Sequence, residues 1–178
     1  YRVLGNESYL AVAEDTAAFA ERALIDGAAL YAGFAGGSRS GPGFLDDYAF
    51  YVFALLQLHQ ATLEERYLAR AGELADQAWT LFWDESAGGF LFSGTRNETL
   101  VARVKEVFDN AMPSGNSTMA YNLSRLALLT GEARFAARSA RQNLFLNGVA
   151  ASYPMGCAFY LWSALPVKKV VCAAKDES

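Results

Sequence analysis

Along most of the chain apolar residues recur every three to four positions, the spacing of helices with one buried face. Tyr9, Val12, Ala13, Thr16, Ala20 and Ala23 fall on one stripe, and Leu68, Ala71, Ala75, Ala78 and Phe82 on another. A third alanine-rich helix is predicted over 132–147. Thr62 and Glu65 fit a capping box for the second of these helices. Two further helices are read over 46–61 and 114–129; the first is almost wholly apolar and is expected to be buried on most sides, and the second is its counterpart. The first carries Tyr48, Val52, Leu55 and His59, with Phe50, Phe53, Ala54 and Leu58 around them; the second carries Met119, Leu123, Leu126 and Leu129. Asp46 is the expected N-cap of the first, with Asp47 in a first turn whose dipole favours an anion; Ser114 caps the second. A last helix over 154–164 follows Pro154, and Val167–Ala173 reads as a strand.

The pattern repeats. A polar turn carrying Glu, then an aromatic (Tyr9, Tyr67, Phe135), then an alanine-rich helix occurs three times. The spacing of roughly 60 residues suits two helices and a connection. The order is an alanine-rich helix, a long connection, an apolar helix and a short turn, repeated: a row of αα-hairpins in one all-α domain. The long connections, 25–45 and 83–113, are rich in Gly and aromatics, and long ordered loops usually carry function. Within the second, Phe90–Ser93 and Leu100–Val107 read as a small β-hairpin turning at Gly94–Thr99. Tyr1–Leu4 reads as the end of a helix whose beginning is absent, so three hairpins would have two bare apolar ends, and self-association is expected.

Composition narrows the function classes. The 178 residues are 53% hydrophobic and 19% charged, which excludes a disordered chain. A net charge of -4 argues against a surface that neutralises phosphates, so no nucleic-acid partner is expected. The longest apolar run, Tyr48–Leu56, falls short of the roughly 20 residues of a membrane span. No targeting signal is visible, which gives a cytoplasmic expectation. One histidine and two cysteines outside any CxxC leave no metal-ligand set, and no GxGxxG or P-loop announces a cofactor.

Three motifs then carry a resemblance. Gly43-Phe44-Leu45-Asp46-Asp47-Tyr48-Ala49-Phe50 resembles a signature of the YyaL-type proteins, also called spermatogenesis-associated, thioredoxin-like proteins. Phe82-Trp83-Asp84 with Gly88-Gly89-Phe90 is similar to a second signature, and Arg103-x-Lys105 followed by Asp109-Asn110-Ala111-Met112-Pro113-Ser114-Gly115-Asn116-Ser117 to a third. The resemblance covers nearly the whole chain. It implies a thioredoxin-like domain followed by an (α/α)6 toroid related to six-hairpin glycosidases and N-acylglucosamine 2-epimerases, of which residues 1–178 would be the C-terminal half. Asn110 stands where the family has Gly, and His59 where it has an aromatic, which argues against a catalytic His59.

In such a toroid the apolar helices point their N-termini at a central funnel. Asp47 and Asp109 are candidate catalytic carboxylates, since a pair of them runs glycoside hydrolysis. Each is also placed for a structural role at a helix start or turn. Tyr48 suits stacking on a sugar or packing in the core. Arg103 and Lys105, about 6.6 Å apart on one strand face at roughly 3.3 Å per residue, suit an anionic group or an ion network. Ser114 and Asn116 open a helix whose free N–H groups suit anions and hydroxyls, and Gly115-Asn116, poor helix formers, stand in its first turn. Trp79, Trp83, Phe90 and Phe92 are an aromatic platform or core. The expected function is binding or processing of a sugar-like ligand, hydrolase- or epimerase-like if catalytic. The alternative is a non-catalytic module accompanying a thioredoxin-like redox domain.

Overall fold

A computed structural model describes residues 1–27, 29–98 and 103–165. Six helices form three αα-hairpins in sequence: α1 (Glu7–Ala23), α2 (Leu45–Thr62), α3 (Glu65–Phe82), α4 (Gly115–Thr130), α5 (Ala133–Ser152) and α6 (Ala158–Ser163), the last entered through a 3₁₀ turn at Pro154–Cys157. α2 packs on α3 and α4, and α4 on α5 and α6. The apolar helices α2, α4 and α6 therefore form a continuous inner row, with α3 and α5 behind it. Val52, Leu55, Leu56, Ala71, Leu74, Ala75, Met119, Leu123, Leu126 and Phe135 fill the space between the two rows. The alanines of α3 are small enough for α2 to approach closely.

The two short turns are near copies of each other. α2 ends at Leu63 and α4 at Gly131, both in the left-handed region (φ 60 and 71). In each, the preceding threonine donates to a carbonyl one turn back and accepts from the N–H two residues on: Thr62 to Leu58 and from Glu64, Thr130 to Leu126 and from Glu132. Thr62 thus closes α2 rather than capping α3, whose N-cap is Glu64.

The β structure lies elsewhere than expected. A three-stranded antiparallel sheet, β1 (Ile25–Asp26), β2 (Ala29–Ala35) and β3 (Ser38–Pro42), occupies the first long connection. Its tight turn is Gly36-Gly37, both at positive φ, as a two-residue hairpin demands. In the second connection, among the described residues, the expected hairpin is represented by one hydrogen bond, Phe92 N–H to Val104 O at 2.8 Å, beside an isolated Trp83–Phe90 bridge; residues 99–102 of that expectation lie outside the described residues. The strand expected at Val167–Ala173 lies outside the described residues, as does Cys172. On α1 the expected apolar stripe is only half used: Ala20 and Ala23 are buried, whereas Tyr9 and Val12 are 55% and 64% exposed. Among the described residues no helix is long and apolar enough to cross a membrane.

Candidate functional site

All three inner helices start at one rim, and the two long connections meet there. Leu45 N–H donates to Phe92 O at 3.0 Å, and the Asn97 side-chain amide donates to Pro42 O at 3.0 Å. The loop before α4 reaches α6 through Asp109 N–H, which donates to Gly156 O at 2.7 Å.

Asp46 and Asp47 exchange the roles the sequence gives them. α2 begins one residue early, so Phe44 is the N-cap and Asp47 lies at the third helical position. There its carboxylate accepts the Phe44 N–H at 2.8 Å, the reciprocal half of a capping box. Asp46 is left facing the rim. Its Oδ1 is buried against the Gly115 backbone without an aligned partner. Burial, followed by the charges of Glu106 and Asp47, pushes the Asp46 carboxyl above its ordinary range, and the nearby Gly115 N–H offsets part of this. Burial also raises Asp47, against the pull of the Phe44 N–H. The carboxyl group that Glu106 brings beside Asp46 is exposed. The signal for it was the strand-like alternation that turns Glu106 away from Arg103 and Lys105.

The other site candidates have identifiable partners. Asp109 accepts Ser114 N–H on one oxygen and Phe159 N–H on the other, both at 2.8 Å, which ties α4 to α6. Tyr48 is buried, and its hydroxyl accepts the Leu30 N–H at 3.1 Å, fixing the sheet onto α2. Arg103 donates to Ser93 O at 2.9 Å. Lys105 donates to Gly88 O at 2.6 Å and pairs with Asp84 at 2.7 Å. That pairing, reinforced by donors from Ser86 and Ala87, holds the Asp84 carboxyl well below the usual range. Ser114 caps α4 by accepting the Ser117 N–H at 3.1 Å.

Asn116 is fully buried and makes the central crosslink. Its amide donates to Phe90 O and Glu106 O, both at 2.9 Å, and its oxygen accepts the Phe90 N–H at 2.8 Å and the Gln142 amide at 3.1 Å. One side chain thus joins α4, α5 and both arms of the second connection. Gly115 is explained by close approach: a Cβ there would stand 2.3 Å from Asp46 Oδ1 and 2.9 Å from Leu45. Trp79 and Trp83 stack at 4.0 Å, edge-on to Phe90, under Arg138 and Arg141. They form a covered structural stack. Among the described residues no group of His, Cys, Asp and Glu is placed to hold a metal ion.

No protein-family model matches the chain. Spermatogenesis-associated protein 20 of Rattus norvegicus is 42% identical over 141 residues, 72% of this chain and 18% of the relative. The Homo sapiens protein of that name is 39% identical over 140 residues, with the same coverage. The chain belongs to the YyaL-type, spermatogenesis-associated protein 20 family. It spans about a fifth of the length of these curated relatives, 18%. Among solved structures, cellobiose 2-epimerase from Bacillus thermoamylovorans superposes with a TM-score of 0.62 at 19% identity, over 80% of this chain and 39% of that one. A family 76 mannosidase from Bacteroides thetaiotaomicron gives 0.60 at 15% identity, over 83% and 40%. These are (α/α)6 toroid enzymes, and this family member has their six-hairpin fold over the matched part.

Proposed function

We propose that this chain supplies part of a polar funnel that binds, and with the rest of the ring processes, a carbohydrate or sugar-like ligand. The observation that carries the reading is Asp46. It is a carboxyl at the shared rim of the inner helices, left without an aligned partner and raised by burial and by Glu106. A carboxyl whose affinity for a proton is raised by burial is what proton transfer to a glycosidic oxygen or a sugar carbon requires. The toroid enzymes that share the fold act on sugars, which supports the substrate class. In this reading Asp46 exchanges a proton with the ligand, and the charge of Glu106 beside it raises its affinity for that proton. Arg103 and Lys105 border the mouth. Asp47, Asp109, Tyr48, Ser114 and Asn116 hold the rim in shape from within, through their hydrogen bonds.

A second reading has its own support. Asp47 and Asp109, the carboxylates that the sequence offers for catalysis, are both engaged by backbone N–H groups, as in a rim that binds without reacting. The domain would then present a ligand or partner to a thioredoxin-like redox domain. A thermal-shift panel of neutral sugars, uronic acids and sugar phosphates separates the two readings. A sugar that raises the melting temperature of the wild type, and raises that of Asp46→Asn or Glu106→Gln less, supports the funnel. No shift with any sugar counts against it and turns attention to the redox module.

A further inference from the structure

From the rim inward the inner row carries an aromatic cluster that the sequence did not single out. Phe53 of α2 and Tyr121 of α4 lie 5.1 Å apart between ring centroids. Trp162 of α6 stacks on Tyr121 at 5.7 Å and 11°, and Phe159 sits 5.3 Å from Trp162 and 6.2 Å from Phe53. The cluster crosses all three inner helices. On α6, Tyr160 turns the other way and is buried with Leu146, Ala150 and Cys157, so Phe159 and Trp162 form the face turned away from α5. Trp162 remains 53% exposed, although Tyr121 beneath it is 5% exposed.

Two features separate this cluster from ordinary core. Phe53 and Tyr121 lie about two helical turns below the rim, roughly 10 Å from Asp46 and Gly115 along α2 and α4 at about 1.5 Å per residue, while Phe159 sits in the first turn of α6, at the rim itself, so the cluster runs from the rim inward. The depth of Phe53 and Tyr121 is about the length of a disaccharide. It also carries polar handles: the Gln57 amide donates to the Tyr121 hydroxyl at 3.2 Å, and the Arg125 guanidinium lies 5.1 Å over the Tyr121 ring. Ligand sites commonly combine aromatic walls with a few polar groups. The Trp79–Trp83 stack, by contrast, is roofed by arginines.

We infer that Phe53, Tyr121, Phe159 and Trp162 form a stacking subsite for one pyranose ring of a ligand whose reacting end lies at the Asp46 rim. The inference rests on the carbohydrate reading above. A ring with all its hydroxyls equatorial turns an unbroken C–H face to the open side of Trp162 while its hydroxyls reach Gln57 and Arg125. The favoured class is therefore an equatorially substituted, β-linked glycan.

The test is saturation-transfer NMR with cellobiose and methyl β-D-glucopyranoside as probes, alongside a titration of the wild type, Trp162→Ala and Trp162→Phe. The expected result is transfer to the axial ring protons of the probe. Binding should be about tenfold weaker in Trp162→Ala and within about threefold of wild type in Trp162→Phe. Binding that Trp162→Ala leaves unchanged would overturn the subsite and leave the carbohydrate reading standing. Absence of binding by the wild type to these probes and to every sugar of the thermal-shift panel would overturn both. If Trp162→Ala fails to fold, transfer to the wild type's ligand and the behaviour of Trp162→Phe still decide, because loss of the axial-proton pattern alone rejects stacking.

Discussion

Asp46 and Asp47 show how much one residue of helix boundary decides. From sequence either can cap α2, and Asp46 is the natural choice for a helix starting at residue 46. Because Leu45 already joins the helix, the cap falls to Asp47 and the unsatisfied carboxyl to Asp46. The residues were legible; their roles were not, because helix ends are read only to within a residue or two. A pH-dependence follows. The folded state raises the Asp46 carboxyl, so it binds more protons than the unfolded state. Stability is then full below the unfolded pKa, about 4, and falls as pH rises toward the folded value. Asp46→Asn keeps an acceptor facing Gly115 and removes the titration. It should raise the melting temperature at pH 7 by about 1–2 °C, a modest gain because the group is half-buried and screened. The gain should vanish near pH 3.5. A variant less stable than wild type at both pH values would reject this account. Gly115 gives a second residue-scale prediction. The sequence marks it as odd in a helix, and the structure gives packing as the reason. Gly115→Ala should cost about 2 kcal/mol in urea unfolding. Asp46→Ala should recover part of that loss, a coupling that a double-mutant cycle reads directly.

At the scale of elements, the helices were legible because a period of three to four residues persists over long stretches. The sheet was missed and the second hairpin over-read for connected reasons. In the first connection Gly36-Gly37 between two short extended runs was an available signal, masked by the small residues of β3. In the second, the alternation of Arg103, Lys105 and Val107 is real, yet side chains take the hydrogen bonds that a partner strand would make. Asn116 holds both backbone groups of Phe90, while Lys105 and Arg103 take Gly88 O and Ser93 O. The repeated turn offers a comparison within one molecule. Gly131 adopts its positive φ freely; Leu63 holds φ 60 with its side chain 76% exposed and little packing in return. Leu63→Gly should therefore stabilise the chain by about 0.5–1 kcal/mol, and Gly131→Ala should destabilise it by about 1 kcal/mol. Both are read as midpoint shifts in urea at unchanged slope. A destabilised Leu63→Gly would mean that the exposed leucine packs on something in solution.

At the scale of the whole molecule, the described residues form a row of hairpins that is closed along its sides and leaves apolar side chains exposed at its ends. Tyr9 and Val12 on α1 are 55% and 64% exposed, and Tyr9 lines a groove of about 890 Å³ between α1 and α2. At the other end Leu144, Met155 and Leu165 are 76%, 83% and 62% exposed. Scattered apolar residues are ordinary on a surface, but here they collect on the two faces where a further hairpin would stack. The solved toroids continue past the matched part, since this chain covers 39% of the epimerase. From the hairpin count alone the sequence leads to an expectation of bare ends. It did not foretell that the α1 stripe would divide, with its alanines packed inward and its tyrosine and valine left out. The consequence is an expectation about association. Burying such a face is favourable at about 25 cal/mol per Å² of apolar surface, set against the rotational and translational freedom lost when two molecules join. The isolated chain should therefore associate at micromolar concentration, and Val12→Glu should shift it toward monomer without lowering its helix content. Sedimentation velocity over a concentration series measures both effects. A wild-type monomer throughout the micromolar range would show that these faces, although apolar, are too small or too flat to overcome that loss.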